Sequence, residues 1–233
     1  MRTAPLDRPT QPTQPTQPTL ATATAQSMMK KQTRSQRKIA GLAGLLFIFC
    51  TITFVIGNAL IKSYFSGHPL GDDTLVVGVL MEALTGFAGA GIGVAMCAIM
   101  RLHGPLLSTA YLVLRALECC ALIAVGVYFV VSRTAWQDYD VFVYAFTGTA
   151  GLVLSFLLLR SRLVTQWLCI LGIVGYAALL LGVAGSVLSI TDIHSGAGVL
   201  FLAPGGLFEL VLPLVLIFKG LKPAELPGRQ LAQ

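Results

Sequence analysis

Six long apolar runs leave this chain few ways to fold. They lie at residues 39–61, 74–100, 106–131, 141–160, 167–190 and 198–218. Each reaches the roughly 20 residues that an α-helix needs to cross the hydrocarbon of a bilayer. Lys62–Asp73, Arg133–Asp140 and Thr191–Ala197 are short polar joints between runs. A water-soluble domain carries about a quarter charged residues, whereas here 11% of 233 residues are charged and 55% are hydrophobic. The chain therefore reads as an all-α, polytopic integral membrane protein, a bundle of six transmembrane helices over residues 39–220, and its main partner is the lipid bilayer.

Residues 1–38 are of another kind. PTQPTQPTQPT, residues 9–19, repeats Pro, Thr and Gln, and proline at every third position favours extended polyproline II over a packed core. A disordered cytoplasmic tail is expected, with a docking site for a cytoplasmic, proline-reading partner as the alternative. MMKKQTRSQRK, residues 28–38, resembles an ordinary lead-in to a membrane helix, so Met28 or Met29 is an alternative start. The first run is too long for a signal-peptide core, and the NALI after its centre is a poor cleavage site, so it is expected to stay as an anchor. Residues 221–233 form a short second cytoplasmic tail.

Basic residues set the expected orientation. Of the sixteen Lys and Arg, thirteen (Arg2, Arg8, Lys30, Lys31, Arg34, Arg37, Lys38, Arg101, Arg160, Arg162, Lys219, Lys222 and Arg229) fall on the side of the N-terminus, and two, Lys62 and Arg133, on the other. The positive-inside rule puts both termini in the cytoplasm, as expected of a plasma (inner) membrane protein. Asp72, Asp73, Asp138, Asp140 and Asp192 collect outside, with Trp136 and Tyr139 at the outer interface and Trp167 at the inner one. The net charge of +6 is thus topological, available to anionic lipid. It forms no basic, aromatic-studded soluble face, so nucleic acid is not an expected partner.

Cysteine points to no metal and no disulfide. Cys50, Cys97, Cys119, Cys120 and Cys169 all lie within apolar runs, without CxxC spacing or a nearby histidine. Adjacent Cys119 and Cys120 point to different helix faces, which is poor disulfide geometry. They read as small buried hydrophobes.

Helical spacing sorts the remaining polar residues into stripes. Ser108, Tyr111, Arg115 and Glu118 share one face of the third helix, as do Glu82, Gly86, Gly89 and Gly93 in the second. Tyr144, Gly148, Gly151 and Ser155 share a face of the fourth helix, and Gly175, Leu179, Gly182 and Ser186 a face of the fifth. Small residues at this spacing let membrane helices approach closely. GFAGAGIG, residues 86–93, is read as packing rather than a nucleotide loop, because no strand precedes it. GLAGLLFIF (41–49) and GTAGLVLSF (148–156) are similar, but the later helices do not follow, and no inverted repeat is inferred.

Arg115 and Glu118 lie roughly 14 and 18 Å from the inner end of their helix, and Glu82 about 12 Å from the outer end of its own. Glu209 is near the middle of the sixth run. One such group left unpaired in lipid costs about 2.5–3.5 kcal/mol, so these residues are expected to face inward and meet one another, with Tyr111 beside them. Pro204-Gly205-Gly206 is expected to bend the sixth helix and aim Glu209 at the centre. One arginine cannot neutralise three glutamates, so at least one carboxyl should be protonated or sit in a water-filled cavity.

Two readings of function follow. In the first, the buried charges lock the helices of a non-enzymatic structural or accessory protein. In the second, the carboxylates form the proton or ligand site of a small transporter or membrane sensor. Six helices are few for a transporter acting alone, so the second reading also expects a homo-oligomer. A pocket reaching Glu118 or Glu209 favours the second reading, and a dry, fully paired cluster the first. The residues lean away from an enzyme: His68, His103 and His194 lie in loops, and no serine is framed as a nucleophile. HSGAG, residues 194–198, reads as a flexible helix start. No catalytic residue, metal or cofactor is expected.

Three local patterns carry a family resemblance. They are Arg115-x-x-Glu118, the joint RSRLVTQWLCILG (160–172) with its Trp167-Leu168, and the last helix PGGLFELVLPLVLIFKG (204–220), with Pro204, Glu209 and the closing Lys219-Gly220. With these, residues 38–222 resemble the bacterial six-helix membrane proteins of domain-of-unknown-function family 4386. The chain departs from that pattern at Thr165, where the family often has proline, and at Cys169, where it often has glycine. The resemblance implies a six-helix bacterial inner-membrane protein and no particular activity.

Overall fold

The computed structural model describes residues 20–66, 71–136 and 138–221. Residues 1–19, with the PTQ repeat, and residues 222–233 lie outside that description, as do His68 and its neighbours. Two units are distinguished, Met1–Arg34 and Ser35–Gln233. In the first, the backbone is helical from Leu20, upstream of the boundary drawn from hydropathy. No proline follows Pro18 in that stretch, and Ala, Gln, Met, Lys and Arg there are good helix formers.

The second unit holds the bundle. Its helices are α1 (Leu20–Phe65, with its membrane-length part at Ser35–Phe65), α2 (Asp72–Met100), α3 (Pro105–Ser132), α4 (Tyr139–Ser161), α5 (Gln166–Val187) and α6 (Ala203–Phe218). A 3-10 helix, Gly196–Phe201, leads into α6, and Gly198–Phe218 is the sixth span long and apolar enough to cross a membrane. Among the described residues there is no strand. The fold is thus a six-helix membrane bundle, as its hydropathy predicts.

The helix ends follow local chemistry. Asp72 and Asp73 open α2 and Asp140 opens α4, where carboxylates complement the positive end of the helix dipole. Pro105 begins α3, at a position whose N–H would have no partner in any case. The Pro204-Gly205-Gly206 triplet corrects the sequence expectation. It lies within the first turn of α6 and not mid-helix, and the break falls just before it, at Leu202 between the 3-10 turn and the α-helix. Pro at the first turn of a helix is tolerated, so it marks a beginning and not a kink. The interior proline is Pro213, which has no N–H to give the carbonyl of Glu209 four residues back.

Successive helices pack in chain order, and glycines set the closest approaches. Gly57 of α1 lies against the Gly78 carbonyl of α2, where an added Cβ would come within 2.9 Å. Gly44 closes α1 onto α6, at 2.8 Å from the Pro213 carbonyl. Gly175 of α5 meets the α6 backbone, with 2.6 Å to Gly205 N and 2.7 Å to Pro204 C. The main apolar core draws on all six helices, from Ala43 and Phe47 to Phe208 and Leu212. A smaller core at one end groups Ile61, Leu75, Phe129 and Tyr139. Leu45, Phe87, Leu117, Phe156, Leu181 and Leu210 point outward. Such an apolar exterior is what a lipid solvent accepts and water does not.

Candidate functional site

The α3 stripe is the inner face of its helix: Ser108, Tyr111, Arg115 and Glu118 are all buried. Arg115 is 4% exposed and Glu118 6%. Arg115 Nη1 pairs with Glu118 Oε2 at 2.8 Å, one turn along, and its Nε donates to the Tyr111 hydroxyl at 3.2 Å. The guanidinium also lies over the rings of Phe47 (5.9 Å) and Tyr111 (5.6 Å), whose faces attract a cation. Glu118 Oε1 accepts from Thr147 of α4, so both its oxygens are occupied. The α2 glycine stripe makes room for this group. A Cβ on Gly93 would lie 3.0 Å from Arg115 Cβ, one on Gly89 3.6 Å from Nη1, and one on Gly86 3.1 Å from Cys119 Cα.

Glu209 arrives from α6 on different terms. Tyr176 of α5 donates its hydroxyl to Glu209 Oε1 at 3.0 Å. Among the described residues Glu209 has no ion pair. The Tyr176 ring stands over Gly151, where even a methyl group would strike it at 2.3 Å. Glu209 is partly exposed, and what exposes it is a pocket of about 200 Å³. All six helices line that pocket: α1 with Phe47, Cys50 and Phe54, α2 with Thr85, α3 with Arg115 and Glu118, α4 with Tyr144 and Thr147, α5 with Tyr176 and Leu179, and α6 with Gly205, Gly206 and Glu209. About 10–15 Å³ of such space holds a water, so several fit. Tyr111 is not part of the wall and supports Arg115 from the side.

Glu82 does not join this group. Gly89 lies beside Arg115, and Glu82 is seven residues further toward the start of α2, about 10 Å along the axis. There it belongs to a second polar cluster. Tyr139 donates to Glu82 Oε1, Asn58 Nδ2 donates to the Tyr139 hydroxyl at 2.9 Å, and the wholly buried Glu82 Oε2 has no protein partner. Close by, Asp140 is buried between Lys62 Nζ at 2.7 Å and His194 Nε2 at 3.1 Å. HSGAG is likewise more tied than its composition suggests. Asp192 accepts the His194 N–H and the Ser195 hydroxyl, each at 2.8 Å, and these bonds hold its carboxyl below the usual carboxylate range.

Four partners complete these groups: Tyr176, Thr147 and Asn58, which the sequence reading passed over, and Tyr139, which it placed at the outer interface and which is instead buried against Glu82. Tyr176 and Tyr139 were findable, because a buried tyrosine hydroxyl seeks a partner. Thr147 and Asn58 gave no such signal. Cys119 is buried and Cys120 exposed, on different faces as expected; Cys169 is buried too, but Cys50 and Cys97 are only half-buried, so the expectation of buried thiols holds only in part.

Residues 134–220 match the model of a family described as a domain of unknown function, DUF4386. The matched stretch takes in α4, α5 and α6, and so Thr147, Tyr176 and Glu209, while Arg115 and Glu118 precede it. No curated protein and no solved structure gives a significant match. The joint at Trp167-Leu168 and the Pro204–Gly220 helix, two of the three patterns read in the sequence, fall within the match, and DUF4386 is the family this membrane protein resembles.

Proposed function

We propose that this protein is a non-enzymatic membrane transporter or sensor that takes a small ligand or a proton into the pocket at the centre of its bundle. One observation carries the reading: Glu209, held only by a neutral hydroxyl, faces about 200 Å³ of space beside the Arg115–Glu118 pair. Charges that serve only as a lock would be closed over, since leaving an intramembrane carboxylate beside a void gains nothing for packing. Mostly apolar walls with a few convergent polar groups are what small-molecule sites have in common.

Dicyclohexylcarbodiimide, a lipid-soluble carboxyl reagent, tests the pocket in proteoliposomes with peptide mass spectrometry as readout. Glu209 is expected to take the adduct, and Glu118, occupied at both oxygens, to stay unmodified. Gly206→Leu should suppress the Glu209 adduct severalfold, because Gly206 lines the pocket and a Cβ there meets nothing within 4 Å, which leaves room for a bulky side chain at the pocket's edge. An unreactive Glu209 in the parent protein would sink the pocket reading and return the lock.

The same reading places both ends in the cytoplasm of a bacterial inner membrane and expects a homo-oligomer. The thirteen-to-two distribution of basic residues supports the orientation. Lys62 and Arg133, the two on the outer side, are each paired, with Asp140 and Asp72, so little free positive charge remains there. In a cysteine-free background, an impermeant maleimide added to intact cells should label Ser66→Cys, and label Leu102→Cys only after permeabilisation. The reverse pattern inverts the topology.

A further inference from the structure

We infer that the ligand is an amphiphile with one positive charge, an alkylamine or quaternary ammonium, which enters from the lipid between α1 and α6 and sets its cation on Glu209. This rests on the pocket reading above and names its ligand class. Three independent features converge on it.

The first is charge. Arg115 is the pocket's cation and Glu118 and Glu209 its carboxylates. Arg115 is committed to Glu118, to Tyr111 and to two aromatic faces. Glu209 is left as the one acidic group with an oxygen facing the space and no cation of its own. An anionic ligand would meet that carboxylate and find the arginine already engaged. A monocation neutralises what is left over.

The second is the wall. Phe54, Tyr144 and Tyr176 share the pocket wall with the Glu209 carboxylate, Tyr176 bonded to it directly, and Val143, Leu179 and Leu202 line the same space. Aromatic faces beside a carboxylate are the recognition chemistry of ammonium groups. The remaining polar wall residues include Thr51, Thr85 and Thr147, whose hydroxyls are bonded to the Phe47 carbonyl, to Thr53 and to Glu118, so what is left of the wall suits an alkyl body better than a hydrated metal ion.

The third is the mouth. Val55 and Gly206 line the pocket and are also exposed on the outer surface of the bundle. α1 and α6 touch at Gly44 and Pro213, and exposed Val55 and Gly206 on the pocket wall point to an opening between these two helices. Val55 lies six residues inside the outer end of the 39–61 run and Gly206 eight inside the start of the sixth, about 9–12 Å. In a hydrocarbon layer of about 30 Å, that is well inside the apolar layer. A ligand that reaches this mouth must first dissolve in the bilayer, which selects amphiphiles over hydrophilic cations.

The experiment uses the full chain in lipid nanodiscs and three probes at equal bilayer mole fraction: octyltrimethylammonium, octanol and octanoate. Thermal unfolding reads binding, and dicyclohexylcarbodiimide labelling of Glu209 runs on the same samples. Octyltrimethylammonium should raise the melting temperature by several degrees and protect Glu209 from labelling, while octanol and octanoate do neither. Glu209→Gln should weaken the octyltrimethylammonium effect at least about tenfold, and Gly206→Leu should abolish it. Gly206→Leu is expected to fold, because Gly206 is exposed and a Cβ added there meets nothing within 4 Å. Equal shifts from all three probes, or a shift that survives Gly206→Leu, would overturn the inference as a general bilayer effect. A Gly206-dependent shift from octanoate alone would also overturn it, assigning recognition to Arg115. If no probe acts but Glu209 still labels in a Gly206-dependent way, the ligand class is wrong and the pocket stands. If Glu209 does not label, both fail.

Discussion

Arg115→Ala is expected to melt far below the parent protein, while Glu209→Gln melts close to it. Arg115 is 4% exposed and bound to Glu118 and Tyr111. Its removal leaves the Glu118 carboxylate buried with only Thr147 as donor, and breaking a buried pair from one side typically costs about 3–5 kcal/mol. Glu118→Gln should also melt early, because it strands the guanidinium. Replacing both members with methionine should recover much of the loss, since an apolar pair of similar volume removes the stranded charge and not only the attraction. Glu209→Gln is different in kind. The Tyr176 hydroxyl can donate to an amide oxygen as it does to a carboxylate, and no ion pair is lost. Thermal unfolding of the four variants in one detergent checks this. A Glu209→Gln protein that melts as early as Arg115→Ala would mean that Glu209 is part of the lock, and the pocket would lose its free carboxylate.

Gly175→Ala is expected to force two neighbouring helices of the bundle apart and to lower stability sharply. Its Cβ would lie 2.6 Å from Gly205 N and 2.7 Å from Pro204 C. Both are backbone atoms, so no side chain can turn aside, and α5 and α6 must separate. Overpacking a core typically costs about 1–3 kcal/mol and occasionally more, and here the clash is with a whole helix. The separation would also pull Tyr176 from Glu209, so Gly175→Ala should alter carbodiimide labelling of Glu209 as well as stability. Gly41→Ala, which meets nothing within 4 Å, is the control and should melt with the parent. Equal stability of the two variants would mean that α5 and α6 are not in backbone contact.

The contrast between these positions marks how much was legible before the fold was known. Helix count and type follow from the length of the apolar runs, because a bilayer leaves the backbone little choice but to bond within its own helix. The inward face of α3 follows from the 3.6-residue period, which puts Ser108, Tyr111, Arg115 and Glu118 in one line. The Arg115–Glu118 pair follows too, since residues three apart on a helix are neighbours whatever surrounds them. The glycine stripes could be read as packing surfaces, but not what they would pack against.

Relations between helices were another matter. That Glu209 takes its bond from Tyr176, that Thr147 caps Glu118, and that Glu82 belongs with Tyr139 and Asn58 all depend on how far each helix slides along its neighbours and how it is turned. A slide of two turns, about 10 Å, separates Glu82 from the group it was expected to join. Those offsets are decided by contacts such as Gly44 on Pro213 and Gly175 on Gly205, between residues far apart in the chain. The sequence by itself determined that Arg115, Glu118, Glu82 and Glu209 must be buried, because lipid solvates none of them, but not that Asp140 would be buried with Lys62 and His194. Only the tertiary structure decided which of them are satisfied and which face a pocket, because that depends on distances between helices that no local spacing encodes.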